Sequence, residues 1–133
     1  MKINNNLDND KATLKEQAQN IVNSIVKFNI FNDEDLQYKI QSKILNEANN
    51  GERKLNIYLR KMPKNYRGVH GFSISSVVIN LDNYPTTTMK EIYDELAKWL
   101  QIQGFLPQDI FYTPPSEDEN SCEPLIGTVT VKW

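Results

Sequence analysis

The residues in this chain best suited to chemistry lie in one basic stretch: Arg53, Lys54, Arg60, Lys61, Lys64, Arg67 and His70, interleaved with Tyr58 and Tyr66. A guanidinium grips phosphate or carboxylate through two parallel hydrogen bonds, and a tyrosine ring can stack on a base. The same residue types are enriched at protein-binding hot spots. They also serve a plainer purpose, since charges on an edge strand guard it against aggregation. The window from Glu52 to His70 holds six Lys/Arg against one acid, in a chain whose net charge is −2. Its counterpart is the acidic run Glu117-Asp118-Glu119, with Glu123 close behind. Consecutive carboxylates in an extended loop do not converge on one cation without glycine-assisted turns, so a solvated loop is the expectation there.

Other reactive types are sparse. His70 is the single histidine and Cys122 the single cysteine, more than 50 residues apart. The acidic surroundings of Cys122 raise a thiol's pKa rather than activate it. Asp94 and Glu95 fall within a helical pattern, where Glu91, Glu95 and Lys98 have ordinary surface spacing. Gly68 and Gly71 lack the strand-to-helix context of a phosphate loop. The expectation is therefore a protein that is not an enzyme, with no metal and no cofactor.

The elements that must position these residues are legible from periodicity. Thr88 to Phe105 is the clearest helix: Thr88 and Glu91 make a capping box, Gly104 supplies a left-handed stop, and Met89, Ile92, Tyr93, Leu96, Trp99 and Leu100 share one face. Thr13 and Glu16 form a second capping box opening a helix to about Lys27, with Leu14, Ala18, Ile21, Val22 and Ile25 as its apolar face. Asn29 to Asn32 interrupt the pattern. A further helix, capped by Asn32 or Asp33 and carrying Leu36, Ile40, Ile44, Leu45 and Ala48, stops at Asn49-Asn50-Gly51. Strands are expected at 54–60, 72–81, 108–113 and 125–133, from alternation and β-branched content. The fold class read from this order is α+β: a tail over 1–12, a helical pair over 13–50, then β-β-α-β-β over 54–133. A small, mainly antiparallel sheet with helices on one face, covered by helix 88–104 and with hairpin-type connections at each end of that helix, is the economical arrangement.

Composition sets the outer limits. A chain of 133 residues, 39% hydrophobic and 24% charged, suits one globular domain. Its small net charge gives no global field toward nucleic acid or an anionic membrane. A lone cysteine cannot form an internal disulfide, no apolar run approaches a membrane span of roughly 20 residues, and the first residues lack the apolar core of a signal peptide. A cytoplasmic protein with no membrane association is expected.

Two stretches carry a resemblance. A helix ending in Ile44-Leu45-Asn46-Glu47-Ala48-Asn49-Asn50-Gly51-Glu52-Arg53 before a strand is one. The other is a later helix with Leu96, Leu100, Gly104 and Phe105, followed by strands and a terminal Thr130-Val131-Lys132-Trp133. Over residues 40 to 133 the chain resembles small accessory proteins of phages and mobile elements of low-GC bacteria, among them anti-CRISPR-type inhibitors of host defences. It departs from that pattern at 61–71 and 116–123, loops of the kind that carry individual function. The resemblance implies an accessory factor; with no catalytic motif found, the expectation is a non-enzymatic protein that binds and modulates another macromolecule, as a monomer or, if a sheet face stays open, a homodimer. Its expected contact residues are Arg53, Tyr58, Arg60, Lys61, Lys64, Tyr66, Arg67, Glu117, Asp118 and Glu119, with the acidic loop mimicking phosphates against a nuclease groove or the Arg/Tyr segment docking on a protein partner. A second reading is a nucleic-acid accessory protein using 53–70, though a dedicated binder is expected to have a domain pI above about 9. A third is a small-ligand binder or enzyme with a site on the sheet face.

Overall fold

The computed structural model describes residues 12–63, 76–116 and 123–133, and only the backbone of residues 23–26. Helix α1 (Leu14–Val26) leads through a 3-10 turn at Ile30–Asn32 into α2 (Glu34–Asn49). Strands β1 (Lys54–Lys61) and β2 (Val77–Asn80) follow, then helix α3 (Met89–Ile102), and finally β3 (Ile110–Thr113) and β4 (Leu125–Lys132). The class is α+β, as the periodicity implies.

Both expected capping boxes form, and Asp33 rather than Asn32 caps α2, its carboxylate accepting from the Leu36 N–H at 3.0 Å. Helices α2 and α3 end alike. In α3 the Gly104 N–H donates to the Gln101 carbonyl and the Phe105 N–H to the Leu100 carbonyl. In α2, Gly51 and Glu52 repeat this on Ala48 and Glu47. Both glycines have positive φ, +82° and +106°, which a side-chain-bearing residue adopts only under strain.

The four strands form one sheet in the order β2-β1-β4-β3. Pairings β1–β4 and β3–β4 are antiparallel, but β1 and β2 run parallel, with Ile57 opposite Val77 and Arg60 opposite Asn80. The sheet is thus mainly antiparallel, as expected, and β3 and β4 are antiparallel neighbours, but the expected hairpin of β1 with β2 is replaced by a parallel pair. A parallel neighbour must re-enter the sheet at the same end as its partner, so β1 and β2 cannot form a hairpin. Likewise β2 and β3, on either side of α3 in sequence, lie at opposite edges. The described strand β2 is shorter than the expected 72–81, whose residues 72–75 lie outside the described part.

One face of the sheet carries the core. Leu55, Ile57 and Leu59 of β1 meet Val77 and Ile79 of β2, Ile110 of β3, and Leu125, Val129 and Val131 of β4. From α2 comes Ile40, and from α3 come Ile92, Leu96, Trp99 and Leu100, all in the same cluster. Both helices therefore cover this one face, which resolves how a sheet of four strands is covered. Glycine 127 lets α3 approach closely: a Cβ there would lie 2.9 Å from Met89 Sδ.

The apolar stripe of α1 departs from expectation. Leu14 is 81% exposed, Ile21 58% and Val22 49%. The hydrophobic anchors of this region lie just past the helix instead, where Phe28 and Ile30 are buried in the core. Alternation within the segment that interrupts the helical pattern places both side chains inward. In α2, Leu45 is likewise exposed and Ile40 alone is fully buried, so its stripe is narrower than the four-residue stepping suggests.

Candidate functional site

Phe28 fixes the geometry of a large concave feature among the described residues. Its N–H donates to Thr87 Oγ1 at 3.1 Å, and its ring meets the Tyr84 ring edge-on at 5.2 Å. This contact pins the α1–α2 connection against the loop before α3, leaving a groove of about 970 Å³ between the start of α2 and the flank of α3. Asp33, Glu34 and Asp35 line one wall. Glu91, Asp94 and Glu95 line the other, with Lys27 and Lys98 also present.

Each set of carboxylates has a local reason to be there. Asp33 caps α2, while Glu34 and Asp35 sit in its first turn, where the helix dipole favours negative charge. On α3, positions 91, 94 and 95 fall three and four residues apart, on the side away from the buried stripe. Glu91 is committed to its cap: it accepts from the Thr88 N–H at 2.9 Å, and that bond holds its carboxyl below the ordinary range. Asp94 is paired with Lys90 at 2.8 Å on the exposed surface. Burial and the neighbouring Asp33 charge push the Tyr84 phenol up. Among the described residues no three His, Cys, Asp or Glu side chains are grouped to hold a metal ion. Carboxylates spread along a groove, rather than converging on one point, complement cations that are themselves spaced.

The sequence-predicted contact residues are dispersed by the fold. Arg53 lies just before β1 and its carbonyl accepts from the Trp133 N–H at 3.0 Å, while Lys61 ends the same strand. Strand geometry puts the two termini of β1 roughly 23 Å apart. Tyr58 and Arg60 are half-buried on the sheet face opposite the helices, and Arg60 Nε donates to Asn80 Oδ1 at 2.9 Å, tying β1 to β2. Lys64, Tyr66, Arg67, His70, Glu117, Asp118, Glu119 and Cys122 lie outside the described residues.

The flanks of the two distinctive loops nevertheless meet. Lys61 is the register partner of Leu125, so the start of segment 62–76 and the end of segment 114–124 leave the sheet side by side. At this end a second cleft, of about 610 Å³, lies between Lys61, Pro115 and Leu125 on the sheet side and the residues that open α3. Tyr84 and Thr87 line both concavities and separate them.

Sequence reasoning misses the groove carboxylates as a site because each set has a sufficient local explanation. The available signal is that α2 begins with clustered acids, that α3 carries a second cluster at 91–95, and that an aromatic residue, Phe28, lies in the connection leading to α2. No family model matches the chain, and comparison with curated proteins and with solved structures finds no match.

Proposed function

We propose that this protein is a non-enzymatic interaction module whose acidic groove docks a cationic segment of another macromolecule. One observation carries the reading: six carboxylates line a groove of about 970 Å³, with two lysines beside them among the described residues. Half-buried Tyr84 contributes an aromatic ring to the same concavity, while Phe28 is buried. Arginine and lysine side chains suit such a surface, because their charged ends pair with carboxylates while their aliphatic stems lie against rings. The more specific form is inhibition of a host-defence nuclease, in which the groove carboxylates, with Glu117, Asp118 and Glu119, stand in for nucleic-acid phosphates.

The test is a triple variant, Glu34→Gln, Asp35→Asn and Glu95→Gln, which spares the capping residues Asp33 and Glu91. Binding to an arginine-rich peptide is measured by calorimetry at rising salt. The intact protein should bind saturably and weaken steeply with salt, and the variant should bind about tenfold or more weakly. Equal affinity of the two proteins overturns the reading. For the nuclease form, the protein should also compete with DNA for a basic nuclease, and the variant should not.

A further inference from the structure

The second cleft has a different chemistry from the acidic groove. Leu81, Met89 and Leu125 are buried side chains lining it, and Pro85 and Pro115 add apolar rim. Among the described residues its charged groups are Lys61 and Lys90 against the single carboxylate Asp82. Lys90 is already paired with Asp94, so of these two Lys61 is the ammonium left to receive an incoming anion. The volume of about 610 Å³ falls within the range of small-molecule sites, which are mostly apolar with a few placed polar groups.

The cleft opens where β1, β2 and β3 all end in the same direction. The first turn of α3 contributes Thr88, Met89 and Lys90 to its lining, with the Glu91 carboxylate already seated on the Thr88 N–H. Met89 is a deformable wall, its sulfur seated over Gly127, and thioether side chains adapt to irregular ligands. Tyr112 adds a phenol at the margin, and burial pushes its pKa up.

We infer that this cleft binds a small amphiphilic anion, its apolar body against Leu81, Met89 and Leu125 and its carboxylate or phosphate head beside Lys61. The site is distinct from the acidic groove and stands or falls independently of it.

Four ligands sharing one body test the claim: decanoate, decanol and decylammonium, with decyl phosphate as the arm that separates phosphate from carboxylate. Titrations followed by amide chemical shifts should show saturable changes centred on Leu81, Met89 and Leu125. Decanoate or decyl phosphate should bind more tightly than decanol, and decylammonium most weakly. Lys61→Glu should weaken anion binding about threefold to tenfold and leave decanol unchanged. Thr86→Trp, at an exposed rim position, should abolish binding of all of them while the remaining spectrum stays native. The inference is overturned by shifts that do not saturate or lie elsewhere, by equal affinity for decylammonium and decanoate, or by indifference to Lys61→Glu. It is equally overturned if a natively folded Thr86→Trp protein still binds.

Discussion

Thr87→Val isolates the contact on which the acidic groove depends. Thr87 is 7% exposed, and its hydroxyl oxygen accepts the N–H of Phe28, a residue 59 positions away and 2% exposed. Valine keeps the shape of threonine but offers no acceptor, so a buried backbone donor is left unpaired. That costs about 1–3 kcal/mol. Taking the middle of this range, about 2 kcal/mol, and the entropy of unfolding expected for a chain of this size, the melting temperature should fall by roughly 7 °C. Thr87→Ser provides the control, since it keeps the oxygen and removes one methyl, for a loss of about 1 kcal/mol. Urea unfolding of the three proteins, with unchanged m-values, measures both differences. If serine proves as costly as valine or costlier, packing of the methyl group rather than the hydrogen bond holds the connection. The hydrogen bond from Phe28 would then not be what sets the groove.

Two further outcomes follow from local geometry. Gly127→Ala should cost under about 1 kcal/mol, because the atom in its way is the movable end of Met89, whereas Gly127→Val should cost about 1–3 kcal/mol by overpacking under α3; urea midpoints distinguish them. The Glu91 carboxyl is held low by its bond from the Thr88 N–H. A group with a depressed folded pKa contributes stability above its unfolded pKa and loses it as pH falls through the folded one. Stability should therefore decline on acidification through that window, and Glu91→Gln, which removes the titrating carboxyl, should flatten that part of the profile in thermal melts across acidic pH; an unchanged acid limb would count against the cap as its source.

The helices and their ends are legible in the sequence because the signals are local. Thr13 with Glu16, and Thr88 with Glu91, form their boxes within a single turn, and Gly51 and Gly104 stop helices through their own backbone freedom. The strand alternation of β1 and β4 is equally readable, since the inward side of a half-buried strand is written residue by residue. The apolar side of α1 misleads for the complementary reason. Periodicity reports that a helix has an apolar side but not whether anything packs on it, and in this fold Phe28 and Ile30 take the core positions that Leu14, Ile21 and Val22 do not.

The candidate sites are less legible still. Each acid at 33–35 and 91–95 has a sufficient explanation within its own helix, and nothing local reveals that the two sets face one another. In the same way, the basic stretch 53–61 looks like one patch in sequence, yet an extended strand carries its ends far apart and turns Arg60 toward Asn80. By itself the sequence determined the class of the fold, the identity of its elements and their terminations, because these depend on interactions within a few residues. Only the tertiary structure decided the parallel pairing of β1 with β2, the shared core face, and the meeting of Phe28 with Thr87 that opens the acidic groove. Those depend on contacts across dozens of residues, where the free energy of burial and pairing, rather than local preference, selects the partner.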